Sequence, residues 1–103
     1  MTRVVRSPRA RRDITDVLRY TRDRWGNAQA REYRDLINDA LENIAADPSS
    51  GKKRASLPGI LSFHIKQPGR DARHVVFYRV TDAGSVQVIR LLHDSMDFDQ
   101  HLP

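Results

Sequence analysis

Two apolar stripes of helical period, set almost end to end, constrain this chain more than any other feature. Ala10, Ile14, Val17, Leu18, Thr21 and Trp25 fall on one face of a first helix. Ala30, Tyr33, Leu36, Ile37, Ala40, Leu41, Ile44 and Ala45 fall on one face of a second. Ser7-Pro8 marks the first start: the hydroxyl caps, and proline at the first helical position sacrifices no hydrogen bond. Gly26 ends that helix, Asn27 is expected to cap the next, and Asp47-Pro48-Ser49-Ser50-Gly51 stops it. Helices joined by one or two residues fold back on each other, so residues 8–46 predict an antiparallel hairpin. Trp25, beside the turn, is expected to plug its core.

A hairpin with one apolar side needs a second layer to cover it. The remaining residues supply one. Arg3-Val4-Val5-Arg6 reads as a short strand before the helices. After them comes a basic loop opened by Lys52-Lys53-Arg54 and closed by Leu57-Pro58-Gly59. From there the period changes to two: Leu61, Phe63 and Ile65 alternate with Ser62, His64 and Lys66. Pro68-Gly69 and Asp82-Ala83-Gly84 are turns on either side of Arg73–Val80, which is apolar on both faces in its middle and so reads as an inner strand. Val86–Leu92 is the last strand, followed by a loosely helical tail. The chain of 103 residues is expected to form one domain, residues 1–103, of the two-layer α+β class. Its order is β-α-α-β-β-β, with an antiparallel helical hairpin, a three-strand antiparallel meander and a short C-terminal tail. Ser62, His64, Lys66, Arg79 and Arg90 are expected on the sheet face away from the helices.

Charge narrows the function. The formal charge is +5, and fifteen of the eighteen bases are arginine. Residues 1–26 carry eight Arg against three Asp, and residues 52–80 carry seven bases against one acid, while the other two stretches are acidic. Such a field attracts nucleic acid or an acidic protein, and arginine suits forked contacts to carboxylate or phosphate. The chain has no cysteine, so no disulfide framework holds it. The N-terminal MTRVVRSPRARRD lacks an apolar stretch, so no signal peptide is expected, and no run approaches the ~20 apolar residues of a membrane span. A cytoplasmic protein that does not enter membranes is expected.

Several short signatures follow one another in a set order. They are Ser7-Pro8-Arg9-Ala10 with Asp13-Ile14, Tyr20 through Trp25-Gly26, Asp47-Pro48 with Gly51, and Pro58-Gly59-Ile60. Arg73-His74-Val75-Val76-Phe77-Tyr78-Arg79 and Val88-Ile89-Arg90-Leu91-Leu92-His93 with Met96-Asp97 complete the series. Together the pattern resembles the RelE/ParE superfamily of toxins from bacterial type II toxin–antitoxin modules, and its ending resembles the ParE branch. That resemblance implies one of two activities. RelE-like members are ribosome-dependent endoribonucleases that cut mRNA. ParE-like members bind DNA gyrase, trap cleaved DNA and do no chemistry of their own. Either kind is held inactive by an antitoxin.

The residues can be weighed against both. Metal-free RNA cleavage needs a base, an acid and cations around the phosphate. His93, Arg79 and Arg90 are the catalytic candidates for that reading. Against it, Asp94, Asp97 and Asp99 crowd the same segment, each repelling a phosphate by about 1 kcal/mol even at watery dielectric. The resemblance also implies a tyrosine near the end of an RNA-cutting member, where this chain has Phe98. His93, Asp97 and His101 are spaced by four, but a solvated terminal helix accounts for them, and no metal or cofactor is expected. The expectation is a ParE-like, non-enzymatic toxin that binds gyrase and is neutralised by a ParD-like antitoxin. A RelE-like mRNA interferase and a non-toxic adaptor are the alternatives, and direct nucleic-acid binding is left open. Partner contacts are expected along the helical groove at Val17, Tyr20, Tyr33, Ile37 and Leu41, in the loop at Lys52, Lys53 and Arg54, and at Arg79, Arg90 and Asp97.

Overall fold

Ser7 behaves as its position predicts. In the computed structural model, which describes residues 2–65, 74–94, 96 and 98–102, its Oγ accepts a hydrogen bond from the Ala10 amide at 3.0 Å. Pro8 then opens helix α1 (Pro8–Trp25). Gly26 closes it at φ +96°, a conformation that side chains disfavour, and its amide donates to the Arg22 carbonyl at 2.8 Å. Helix α2 (Asn27–Ala46) starts on the next residue. The expected Asn27 cap is not made: Gly26 occupies the cap position with no side chain to donate or accept. One left-handed glycine turns the chain so tightly that Asn27 is already helical. Ala10 of α1 and Tyr33, Ile37, Ala40 and Ile44 of α2 carry the buried face. Trp25 is the exception to the expected stripe, since it is 66% exposed at the turn and plugs nothing.

The second layer is a sheet whose described residues form five strands. They are β1 (Val4–Arg6), β2 (Lys52–Lys53), β3 (Leu61–His64), β4 (His74–Val80) and β5 (Val86–His93), in the order β1-β5-β4-β3-β2. β1 runs parallel to β5, and the other pairs are antiparallel. The meander is as expected, but Lys52 and Lys53 are no loop: they pair with Ser62 and Leu61 as a short edge strand. The expected Pro68-Gly69 turn, Lys66, the Arg73 start of β4 and Asp97 lie outside the described residues.

A β-bulge decides which side chains face which layer. Phe77 pairs with Arg90, and its neighbour Tyr78 pairs with Val88, so Ile89 is the extra residue of β5. Val76 and Tyr78 of β4, with Val86, Val88 and Leu91 of β5, pack against the helices. Val75, Phe77 and Leu92 point the other way, where Ile60 and Leu102 cover them. The bulge thus switches the parity of β5 midway, which is why both parities there are apolar.

That second face corrects the expectation of a polar, basic surface. Ser62 and Arg90 on it are buried, and only His64 and Arg79 of the expected residues are exposed among those described. The tail is what buries it. Helix α3 (Phe98–His101) sets the Phe98 ring edge-on to Phe77, centroids 4.7 Å apart, and Leu102 follows into the cluster. On the opposite side, Tyr78 reaches through the core to the end of α2. Its hydroxyl donates to the Pro48 carbonyl at 2.7 Å and accepts from the Gly51 amide at 2.9 Å. A Cβ at Gly51 would meet the ring carbons of Tyr78 at 2.9 Å, so this position excludes a side chain.

Candidate functional site

The last strand is held by helix α1 where β1 runs out. β1 ends at Arg6 opposite Val88, and beyond that point the free edge of β5 carries backbone groups in need of partners. Ser7 supplies one, its Oγ donating to the Ile89 carbonyl at 2.8 Å. Asp13 supplies the other, its Oδ2 accepting the Leu91 amide at 3.0 Å. The same carboxylate takes a forked pair from Arg90, Nε to Oδ2 at 2.8 Å and Nη2 to Oδ1 at 3.1 Å. Arg90 also donates to the His101 carbonyl at 3.0 Å. With side chains 11% and 14% exposed, Arg90 and Asp13 form an enclosed ion pair that joins α1, β5 and the tail. Arg90 is therefore a structural clasp, engaged within the fold where a partner or phosphate contact was expected.

A chain of polar groups crosses the other end of the β4–β5 ladder. Tyr33 of α2 hydrogen-bonds through its hydroxyl to His74 Nδ1. His74 lies opposite His93, their rings edge to face at 5.3 Å, and His93 Nδ1 sits 3.2 Å from the Asp94 carboxylate. Burial, helped by the neighbouring His93, lowers the His74 pKa to about 4, and Asp94 opposes that shift. Burial, with Asp94 adding, raises Tyr33 to about 12. Both groups are neutral at pH 7 and far from it in pKa, so neither is poised to exchange a proton there. The pair pins α2 to β4. Tyr33 and His74 meet across 41 residues of sequence, and apolar periodicity, which put Tyr33 on the buried face, carries no signal of its polar partner.

The catalytic candidates do not converge. His93 lies opposite His74 on the helix side of the sheet, whereas Arg90 lies opposite Phe77 on the tail side. Arg79 pairs with Gln87 five residues along β4 from His74, about 17 Å at strand rise. Its Nε donates to Gln87 Oε1 at 2.8 Å. No phosphate can touch all three.

The partner candidates are likewise dispersed. Ile37, only 2% exposed, and Tyr33 are core residues, where a place at a groove edge was expected. Val17 and Leu41 are half-buried, and Tyr20 is 63% exposed. Leu41 lines an open groove of about 1300 Å³ together with Val4 and Ala45, between α2, β1 and the β4–β5 turn, with Arg3 and Arg6 at its margin. Lys52 and Lys53 are exposed on the sheet edge, and the Arg54 guanidinium lies over the Phe98 ring at 5.1 Å. No helix among the described residues is long and apolar enough to cross a membrane.

Comparison with known proteins places this arrangement. The family described as the ParE toxin of type II toxin-antitoxin system, parDE, matches residues 4–98. Toxin ParE1 of Mycobacterium tuberculosis is 33% identical over 102 residues, covering 98% of each chain. Toxin ParE1 of Caulobacter vibrioides is 36% identical over 96 residues, covering 93% of each. A solved structure described as the chromosomal ParDE TA system from P. aeruginosa superposes with a TM-score of 0.75, over 90% of this chain and 96% of that one. At 15% identity that likeness speaks to the fold. With a match running from the first strand into the tail, the chain belongs to the ParE toxins of type II toxin–antitoxin systems.

Proposed function

We propose that this toxin acts without catalysis, by binding DNA gyrase and blocking it, and that a cognate ParD-like antitoxin neutralises it. The observation that carries the reading is the family match over residues 4–98. The site geometry supports binding over RNA cleavage. Arg90 is held by Asp13, Arg79 and His93 stand on different faces, and in the Tyr33–His74 pair burial pushes the tyrosine pKa up to about 12 and the histidine down to about 4. The groove beside Leu41 suits an extended antitoxin segment, with Arg3 and Arg6 to meet its carboxylates.

The test uses purified protein in two assays side by side, gyrase supercoiling and ribosome-dependent cleavage of message. Loss of supercoiling with intact message, reversed by adding the antitoxin, is the expected result. The His93→Ala variant keeps its toxicity. A folded His93→Ala protein a hundredfold weaker, with cleaved message in the wild-type lane, would establish the interferase instead, since a lost general acid–base costs ~10² to 10⁴.

A further inference from the structure

Trp25 is the only tryptophan in the chain, and the fold makes no use of it. Residues 22–28 are exposed without interruption on both sides of the turn, so the tip of the hairpin is an uncovered, convex knob. Gly26 makes the turn by its own backbone, and open space surrounds it. An indole two-thirds exposed there adds nothing to the core and leaves a large apolar surface in water. It is not alone. The Arg24 guanidinium lies 5.8 Å from the indole centroid, and Tyr20 stands four residues before Arg24, on the same side of α1. Trp, Tyr and Arg are the residue types that dominate binding energy at protein interfaces.

We infer that Tyr20, Arg24 and Trp25 at the hairpin tip are the grip on the toxin's target, with the indole entering an apolar notch rimmed by carboxylates on a protein surface. This rests on the reading above only in taking the target to be a protein. The N-terminal block supplies the complementary charge, eight Arg against three Asp in residues 1–26. A convex knob fits a rigid, concave receptor. A flexible wrapping segment needs a concave bed, and the groove at Leu41 and Ala45 offers one about 20 Å away along α2. Nucleic acid fits the tip less well. Arg22 is paired with Asp23 at 3.1 Å, and Asp16 and Asp23 interrupt the basic row, so no continuous track follows a phosphate backbone.

Full-length Trp25→Ala and Trp25→Phe proteins test this in three measurements: growth arrest on induced expression, gyrase supercoiling and antitoxin binding. Trp25→Ala is expected to relieve the arrest and to raise the half-inhibitory concentration by roughly tenfold or more. Trp25→Phe recovers part of the effect. Antitoxin affinity and the melting curve stay as in the wild type, because the side chain supports neither groove nor core. A Trp25→Ala protein that arrests growth like the wild type overturns the inference, as does one whose main defect is in antitoxin binding. Protection of Trp25 from acrylamide quenching by DNA alone would also overturn it, in favour of a nucleic-acid surface. A wild type that arrests growth but leaves gyrase untouched ends the gyrase reading alone, and Trp25→Ala in the arrest assay still judges the tip. A wild type that never arrests growth ends both.

Discussion

The two faces of the sheet are built differently. The helix face is broad: Ala10, Tyr33, Ile37, Ala40 and Ile44 meet Val76, Tyr78, Val86, Val88 and Leu91 in one cluster. The tail face is narrow: Ile60, Val75, Phe77, Leu92 and Leu102 form a small cluster, roofed by one helical turn and the Leu57–Ile60 loop. Thirty-eight residues of helix close the first, and a few residues near the C-terminus close the second. The lesson is that this protein concentrates its stability on one side of β4 and β5 and spends very little chain on the other. The bulge at Ile89 lets one strand serve both, and the Asp13–Arg90 clasp ties them together.

Breaking that tie has the largest expected effect. Asp13→Ala leaves the Arg90 guanidinium enclosed without its partner and strips the Leu91 amide, at a cost of about 4 kcal/mol in denaturant melts. A loss below about 1 kcal/mol would mean that the two faces are held independently. Next, Ile44→Ala on the helix face costs about 3 kcal/mol, whereas Phe98→Ala on the tail face, where the ring is only half-buried, costs about 1.5 kcal/mol. Equal losses would erase the contrast between the faces. The last effect is absent at neutral pH and appears only in acid. Because folding lowers the His74 pKa to about 4 from 6.5, the unfolded chain binds the proton more readily. Stability is then unaffected above pH 6.5 and declines as pH falls from there towards 4. Tyr33, His93 and Asp94 face the same ring, so a His74→Ala series of pH melts, flatter than the wild type over that window, isolates its share.

The helix face was legible from residue letters because its signals are local. Ser7-Pro8, Gly26 and Asp47-Pro48 mark helix ends within a turn of where they act, and a 3.6-residue period needs no partner to be seen. The tail face was not, because its determinants are distant or silent. No residue type announces the bulge at Ile89. The Asp13–Arg90 pair spans 77 positions, and the tail is held back by contacts as silent in sequence: Phe98 on Phe77, and the His101 carbonyl on Arg90. Trp25 misled for a related reason: it sits in phase with the apolar stripe of α1, but nothing covers it, and periodicity does not record which part of a stripe is covered. The candidate site suffered most. Arg79, Arg90 and His93 are near neighbours in sequence order across a hairpin, yet pleat and register send His93 to the helix face and set Arg79 and Arg90 apart on the other.

The strand order carries a last consequence. β5, the final strand, lies between β1 and β4, so the first strand of the chain and the middle of the sheet both wait for it. A nascent polypeptide that stops short of Val86 lacks the strand that joins β1 to the meander and leaves two unpaired edges. A chain that lacks β5 therefore cannot complete this sheet, and its exposed edges make proteolysis its expected fate.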